Sequence, residues 1–255
     1  MTNPTLERIH SHASVRHYKP DPLPDSLIEA VVAAGQCAST SSNLQLYSVV
    51  AVREAEKRER LAVLSAGQDF IARAPVFLVW CADLARLERA CQLRGCNQVT
   101  DYTENFLMAT VDCALAAQNA ALAAESVGLG ICYVGALRDH PQEVIEMLGL
   151  PRLVFPLFGM TLGWPEKPGR IKPRLPLRAV LHRETYNPDQ DQALAEYDAA
   201  MIATGIYRGR QAASPGRPEM PENEYGWTEH SARRASRAVR TGLRAVIEEQ
   251  GFGMK

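Results

Sequence analysis

The hydrophobic positions of this chain fall into two periods. Between residues 25 and 37, Leu27, Ile28, Val31 and Val32 share one side, which predicts a helix ending near Cys37 with Asp25 or Ser26 as its cap. The run "LYSVVAVR", residues 46–53, is rich in β-branched residues and predicts a strand. "PVFLVWCA" (75–82) and "VFPLFGMTLGWP" (154–165) are continuously apolar and bounded by proline, as strands covered on both faces are. "VGLGICYVGAL" (127–137) has glycines that end a helix and a middle that reads as a further strand. Shorter helices are predicted at 4–11, 54–65, 140–151 and 190–204, and residues 83–98 read as helix first and irregular chain after.

One segment dominates. "NFLMATVDCALAAQNAALAAE", residues 105–125, carries Asp112 as its single internal charge. Its alanines, with Gln118 and Asn119, make it too weak for a membrane span, which takes about 20 strongly apolar residues. A helix apolar nearly all round is the buried centre of a large core or an oligomer interface. Further on, residues 205–229 are polar and rich in Pro and Gly, and read as a long flexible excursion. "SARRASRAVRTGLRAVIEEQ" (231–250) then predicts a closing amphipathic helix with Val239, Leu243 and Val246 inward and Arg233, Arg237, Arg240 and Arg244 along a mainly solvated face. The alternation of helices and strands is α+β, in one domain spanning 1–255.

Composition narrows the function. With 255 residues, 46% of them hydrophobic, the chain can bury a sizeable core. A net charge of -1 gives no basic field for nucleic acid, and no apolar leader is visible at the start, so a cytoplasmic protein is expected. The six cysteines lack the density of a disulfide scaffold; Cys91 and Cys96, without a partnering histidine, read as free thiols rather than metal ligands. No G-x-G-x-x-G, P-loop, G-x-S-x-G or H-E-x-x-H motif occurs, so a nicotinamide Rossmann domain, a P-loop NTPase, a hydrolase elbow and a zincin all lose support.

What remains is cationic and clustered. "HASVRHY" sets His12, Ser14 and Arg16 close together before the first long apolar element, and is either a frayed terminus or a site for an anion. Far away, "KPRLP" holds Lys172 and Arg174 in a stiff loop. A guanidinium fork and an ammonium point charge together suit a phosphate dianion. The hydroxyl-rich "STSSN" (39–43) and the glycine at 135, which lets backbone N–H groups approach a flat ligand, lie between them.

These blocks, with "GQDF", "AAQNAALAAESVGLGICYVGALR" and "FPLFGMTLGWP", resemble the NADPH-dependent flavin reductases and oxygen-insensitive nitroreductases of the nitroreductase superfamily, from about residue 5 to 210 and again in the last helix. The resemblance implies a mixed β-sheet flanked by helices, a long buried central helix and an interlocked homodimer with two FMN sites. It implies that His12, Ser14, Arg16, Lys172 and Arg174 hold the phosphate, ribityl chain or pyrimidine edge of FMN. Thr40 and Ser42 would face the cofactor, Gln68 would contact the flavin, and Tyr133, Val134 and Gly135 would lie under its ring. NADPH and a small-molecule acceptor would take turns over one flavin face, with no obligatory catalytic side chain. Arg208 and Arg210 would meet the 2′-phosphate of NADPH, Arg138 and Arg240 would stand at the pocket rim, and Asn43 would occupy a place where a bulky aromatic often meets the substrate. The expected reaction is two-electron reduction of nitroaromatics, quinones or flavins. The alternatives are a reductase that feeds reduced FMN to a partner monooxygenase, and a flavin-binding protein without catalysis.

Overall fold

The longest apolar runs become the inner strands of one sheet. The computed structural model describes residues 3–255. Four strands, β1 (Tyr47–Val52), β2 (Val76–Asp83), β3 (Gly130–Val134) and β4 (Val154–Gly163), pair in the order β1-β2-β4-β3. All three pairings are antiparallel, so among the described residues the sheet is antiparallel where a mixed one was expected. Antiparallel neighbours need no long same-direction crossover. Every residue of β2 is buried, and only Phe158 of β4 is not fully so, which accounts for their unbroken apolar sequences. Pro156 stands opposite Cys81 beside the register shift between Trp80 and Cys81, the kind of irregularity to which proline within a sheet is confined.

The α-helices among the described residues are α1 (Pro4–His10), α2 (Asp25–Gln36), α3 (Ala55–Leu64), α4 (Phe70–Arg73), α5 (Ala85–Leu93), α6 (Thr103–Ser126), α7 (Pro141–Leu148), α8 (Asp191–Thr204), α9 (Trp227–Ala235) and α10 (Leu243–Glu249). Helix α2 begins one residue earlier than its sequence suggests: Pro24 occupies the cap position, and neither Asp25 nor Ser26 caps the helix. Helix α6 has the length and hydropathy of a membrane span, yet it is a core helix on one side. Ala109, Asp112, Cys113, Ala116, Ala117, Ala120, Ala121 and Ala124 recur every three or four residues and are buried. It is not buried all round, since Leu107, Val111 and Leu115, spaced four apart, are 55%, 47% and 47% exposed.

The chain forms two compact units. The first comprises residues 3–170 and 240–255 and contains the sheet, α1–α7 and α10. Its C-terminal segment is integral to the core: Phe252 is fully buried edge-on to Phe106, and the Gln250 amide donates to the Pro151 and Val154 carbonyls at 2.6 and 3.0 Å.

The second unit, residues 171–239, contains α8 and α9. Asp198 on α8 accepts the Thr228 N–H at 2.6 Å in the first turn of α9, and the Tyr197 and Trp227 rings meet edge to face. Residues 205–226 carry neither helix nor strand, but they are tied down. The Gln211 side chain bonds both backbone groups of Met220, and the Ala212 N–H donates to the buried Tyr225 hydroxyl.

The single closing helix expected over 231–250 is two. Helix α9 ends at Ala235, α10 starts at Leu243, and Arg240 between them takes a left-handed φ of 52°. Val239 is consequently exposed rather than inward; Leu243 and Val246 are partly buried, as expected. Arg233 departs from the solvated stripe. It is 2% exposed, with its guanidinium on Glu229 and on the carbonyls of Ala212 and Pro218.

Candidate functional site

The segment 12–19 is extended and laid against the ends of β3 and β4. The Val15 N–H donates to the Ile131 carbonyl at 2.8 Å, Lys19 N–H to Trp164 O, and Glu166 N–H to His17 O. Val15 and Tyr18 are buried, and the Tyr18 hydroxyl bonds the Val15 carbonyl and Thr161 Oγ1, each at 2.6 Å. Burial drives the Tyr18 phenol far above its ordinary pKa, so it stays protonated. Gly130 makes this approach possible, because a Cβ there would stand 2.6 to 2.9 Å from the Val15 side chain. Inward Val15 leaves Ser14 and Arg16, its neighbours on either side, directed away from the core, as extended chain requires.

Arg16 lies with its guanidinium 5.7 Å from the centre of the Phe70 ring. Phe70 opens α4 two residues after Gln68, so the fold brings Arg16 to the Gln68 turn. The Gln68 amide donates to Ser65 O at 2.8 Å and keeps its own oxygen without a partner among the described residues. His12 Nδ1 stands 2.5 Å from Glu125 Oε1, near the end of α6. A carboxylate accepts, so Nδ1 carries the hydrogen and Nε2 is left for another partner.

The hydroxyl loop is held from below. Asp112, 1% exposed, accepts the backbone N–H of Ser41 at 2.8 Å and of Leu46 at 3.1 Å. Between these anchors Ser42, Asn43 and Gln45 all adopt positive φ, from 48° to 56°. The hydroxyls of Ser14, Thr40 and Ser42 make no hydrogen bond among the described residues. Sequence reasoning proposed no role for Asp112 or Glu125. For Asp112 the signal was present: one acid in an otherwise apolar helix needs buried donors.

Tyr133 and Val134 point to opposite faces of the sheet, each into an apolar cluster. The Tyr133 ring packs edge-on to Phe158 at 5.6 Å, its hydroxyl is buried without a hydrogen-bond partner, and burial pushes its pKa far up. Val134 is buried and Tyr133 half-buried, and after them Gly135 opens a 3-10 turn to Asp139. Arg138 in that turn donates to the Leu157 carbonyl, freed by the register shift in β4, and burial with nearby Arg240 lowers its pKa. Arg240 in turn pairs with Asp139 at 2.7 Å.

In the second unit, Lys172 and Arg174 are exposed, and Arg174 Nη1 donates to the Lys172 carbonyl at 2.9 Å. Arg208 and Arg210 are also exposed, on the turn that follows α8. None of Arg16, Lys172, Arg174, Arg208 and Arg210 has a carboxylate partner among the described residues, whereas ten of the other nineteen arginines do. Within the second unit, Tyr207, the neighbour of Arg208 in sequence, stacks on His230 at 4.3 Å, and burial with Arg234 lowers the His230 pKa.

Residues 9–164 match the family model described as "Nitroreductase family", and residues 172–255 match "Nitroreductase family, C-terminal domain". The chain belongs to the nitroreductase family. Among its family relatives it is similar to an FMN reductase (NADPH) of Bacillus subtilis, 36% identical with 98% of each chain covered. It is similar also to an oxygen-insensitive NADPH nitroreductase of Salmonella typhimurium, 34% identical over 99% of this chain and all of the other. Its fold is that of B. megaterium NfrA2, with a TM-score of 0.91, 33% identity and both chains fully covered. The nitroreductase fold expected from the sequence is thus the fold of this protein.

Proposed function

We propose that this nitroreductase-family protein binds FMN and uses NADPH to reduce nitroaromatics, quinones or free flavin by two-electron steps. The observation that carries the reading is the set of cations without carboxylate partners, Arg16 in one unit and Lys172 and Arg174 in the other, together with the unbonded hydroxyls of Ser14, Thr40 and Ser42. These groups are available for a phosphate dianion and a polyhydroxyl chain. The donor set therefore fits FMN. When bound, FMN supplies hydride acceptance from the nicotinamide and electron delivery to the acceptor.

The protein's residues do the positioning. His12, with Nδ1 fixed by Glu125, offers Nε2; Gln68 offers its amide oxygen; the 133–135 backbone supplies a surface for the ring. A cation beside the ring, Arg16 or Lys172, favours added negative charge there. Arg208 and Arg210 take the 2′-phosphate, which makes NADPH the preferred donor, and Asn43 leaves the substrate side open. Arg138 and Arg240, tied to Leu157 and Asp139, serve as rim positions held in place.

The working form is a homodimer in the cytoplasm. The exposed Leu107, Val111 and Leu115 row on α6, with Leu6 and Ile9 on α1, is apolar surface of the kind a second copy covers.

Anaerobic mixing with NADPH tests the reading. Bleaching of the oxidised-flavin band, followed by its return on adding a nitroaromatic or quinone, is the expected result. Protein that copurifies without flavin, or flavin that stays yellow under NADPH, overturns it.

A further inference from the structure

Cys91 and Cys96 play no part in the site above, yet the chain brings them together. Helix α5 ends with a turn in which the Cys96 N–H donates to the Cys91 carbonyl at 3.0 Å and Gly95 takes a φ of 71°. The Cys96 thiol also reaches the Cys91 carbonyl at 3.4 Å. The Cys96 side chain thus folds back over the first residue of its own turn, where the Cys91 thiol is its side-chain hydrogen-bond neighbour, and such close approach of the two side chains is what a disulfide requires. Cys91 is half-buried and Cys96 exposed. Partial burial and the adjacent Cys96 thiol push the Cys91 thiol above its ordinary pKa.

We propose that Cys91 and Cys96 are a redox-active dithiol that closes to an intramolecular disulfide on exposure to a low-molecular-weight disulfide. The exposed Cys96 thiolate attacks one sulfur of the oxidant, whose S–S bond breaks and releases the first small thiolate. The Cys91 thiolate then attacks the Cys96 sulfur of the mixed disulfide, forms the Cys91–Cys96 bond and releases the second. Two protein thiols lose two protons and two electrons, and one external disulfide becomes two thiols. The second step is intramolecular and outruns the first, so the mixed disulfide does not accumulate. The other four thiols are unlike this pair: Cys81 is buried with its pKa pushed up to about 12, Cys113 and Cys132 are buried, and Cys37 is exposed in a different part of the chain.

Arg94 lies between the two cysteines, which gives a direct readout. The purified full-length protein is treated with oxidised glutathione, its remaining thiols are blocked, and it is cut with trypsin. The expected product joins peptide 90–94 to peptide 95–138, is lighter than the two by two hydrogens, and separates on reduction. Cys91→Ser keeps a stable glutathione on Cys96, and Cys96→Ser reacts about tenfold more slowly. Stable glutathione on wild-type Cys96 without the cross-link overturns the proposal. So does a link from either residue to Cys37, or no reaction at Cys96 under conditions that modify Cys37.

Discussion

Asp112 accepts the backbone N–H of Ser41 at 2.8 Å across 71 residues of sequence, and its other oxygen accepts that of Leu46. One buried carboxylate thus holds both ends of a turn whose three left-handed residues are not glycines. Left-handed φ at such residues costs about 1–3 kcal/mol each and persists only where the surroundings fix it. Replacing Asp112 by Ala leaves two amides unpaired, at about 1–3 kcal/mol apiece. The expected outcome is a lower melting temperature and weaker FMN retention, with Asp112→Asn intermediate. Thermal melts and flavin titration on both variants check this; unchanged flavin affinity in a destabilised Asp112→Ala would separate the turn from the cofactor.

Gly130 sets the position of the His12–Arg16 segment through Val15. Gly130→Ala places a methyl in contact too short to tolerate, so the segment must move. Flavin affinity is expected to fall at least tenfold, about 1.4 kcal/mol. Val15→Ala in the same chain removes two of the three clashing atoms and should restore part of it, since the Cβ of residue 15, 2.7 Å from the added methyl, remains. A double-mutant cycle showing simple additivity would remove the steric explanation.

His230 gives the second unit a pH limit. Its folded pKa is depressed by burial and by Arg234, so the unfolded chain takes up a proton more readily. The stabilisation is complete above the ordinary histidine range, near 6.5, and is lost as pH falls below it toward the folded value. Residues 205–226 should become more susceptible to protease as pH falls below about 6.5. His230→Gln should flatten that dependence, and imidazole NMR should place the titration below that of an exposed histidine.

Arg233 fastens the same loop. Its removal leaves the Ala212 and Pro218 carbonyls without their donor, while Glu229 retains Arg217 at 2.9 Å. Arg233→Ala is expected to cost about 2–4 kcal/mol, the sum expected for two lost buried bonds with some packing over Tyr225. Arg233→Lys should recover little, because one ammonium cannot reproduce the guanidinium's spread of donors. Calorimetry with proteolysis of 205–226 provides the measurement.

Arg208 is exposed and lacks a carboxylate partner among the described residues, so its loss should affect a ligand rather than the fold. Arg208→Ala is expected to raise KM for NADPH about tenfold, the worth of one charge-assisted contact, and to leave KM for NADH unchanged. Equal effects on both nucleotides would take the 2′-phosphate role away from it.

The strands were legible because β2 and β4 are covered on both faces, and a covered strand announces itself as an unbroken apolar run. The cation clusters were legible by residue type. The break in the closing helix was not, because Arg233, Arg237, Arg240 and Arg244 keep helical spacing across it; the left-handed Arg240 carries no glycine or proline mark. Nor was the turn at Ser42, Asn43 and Gln45 visible, since its strain is held by a carboxylate from a distant helix. Glu125 was hidden for the same reason: its meaning lies in His12, 113 residues away. Local pattern reports burial and period, and pairings made in three dimensions leave little trace in it.

The route of the chain also bears on the order of its folding. The first unit is interrupted by the whole of the second and is completed by Phe252 against Phe106 and by Gln250 on the loop before β4. During synthesis, residues 171–239 emerge while that core still lacks residues 240–255, so the sheet must wait, partly uncovered, until those have been made. Chaperones that shield nascent apolar surface would have their greatest effect in this interval, and loss of residues 250–255 would be felt in the sheet.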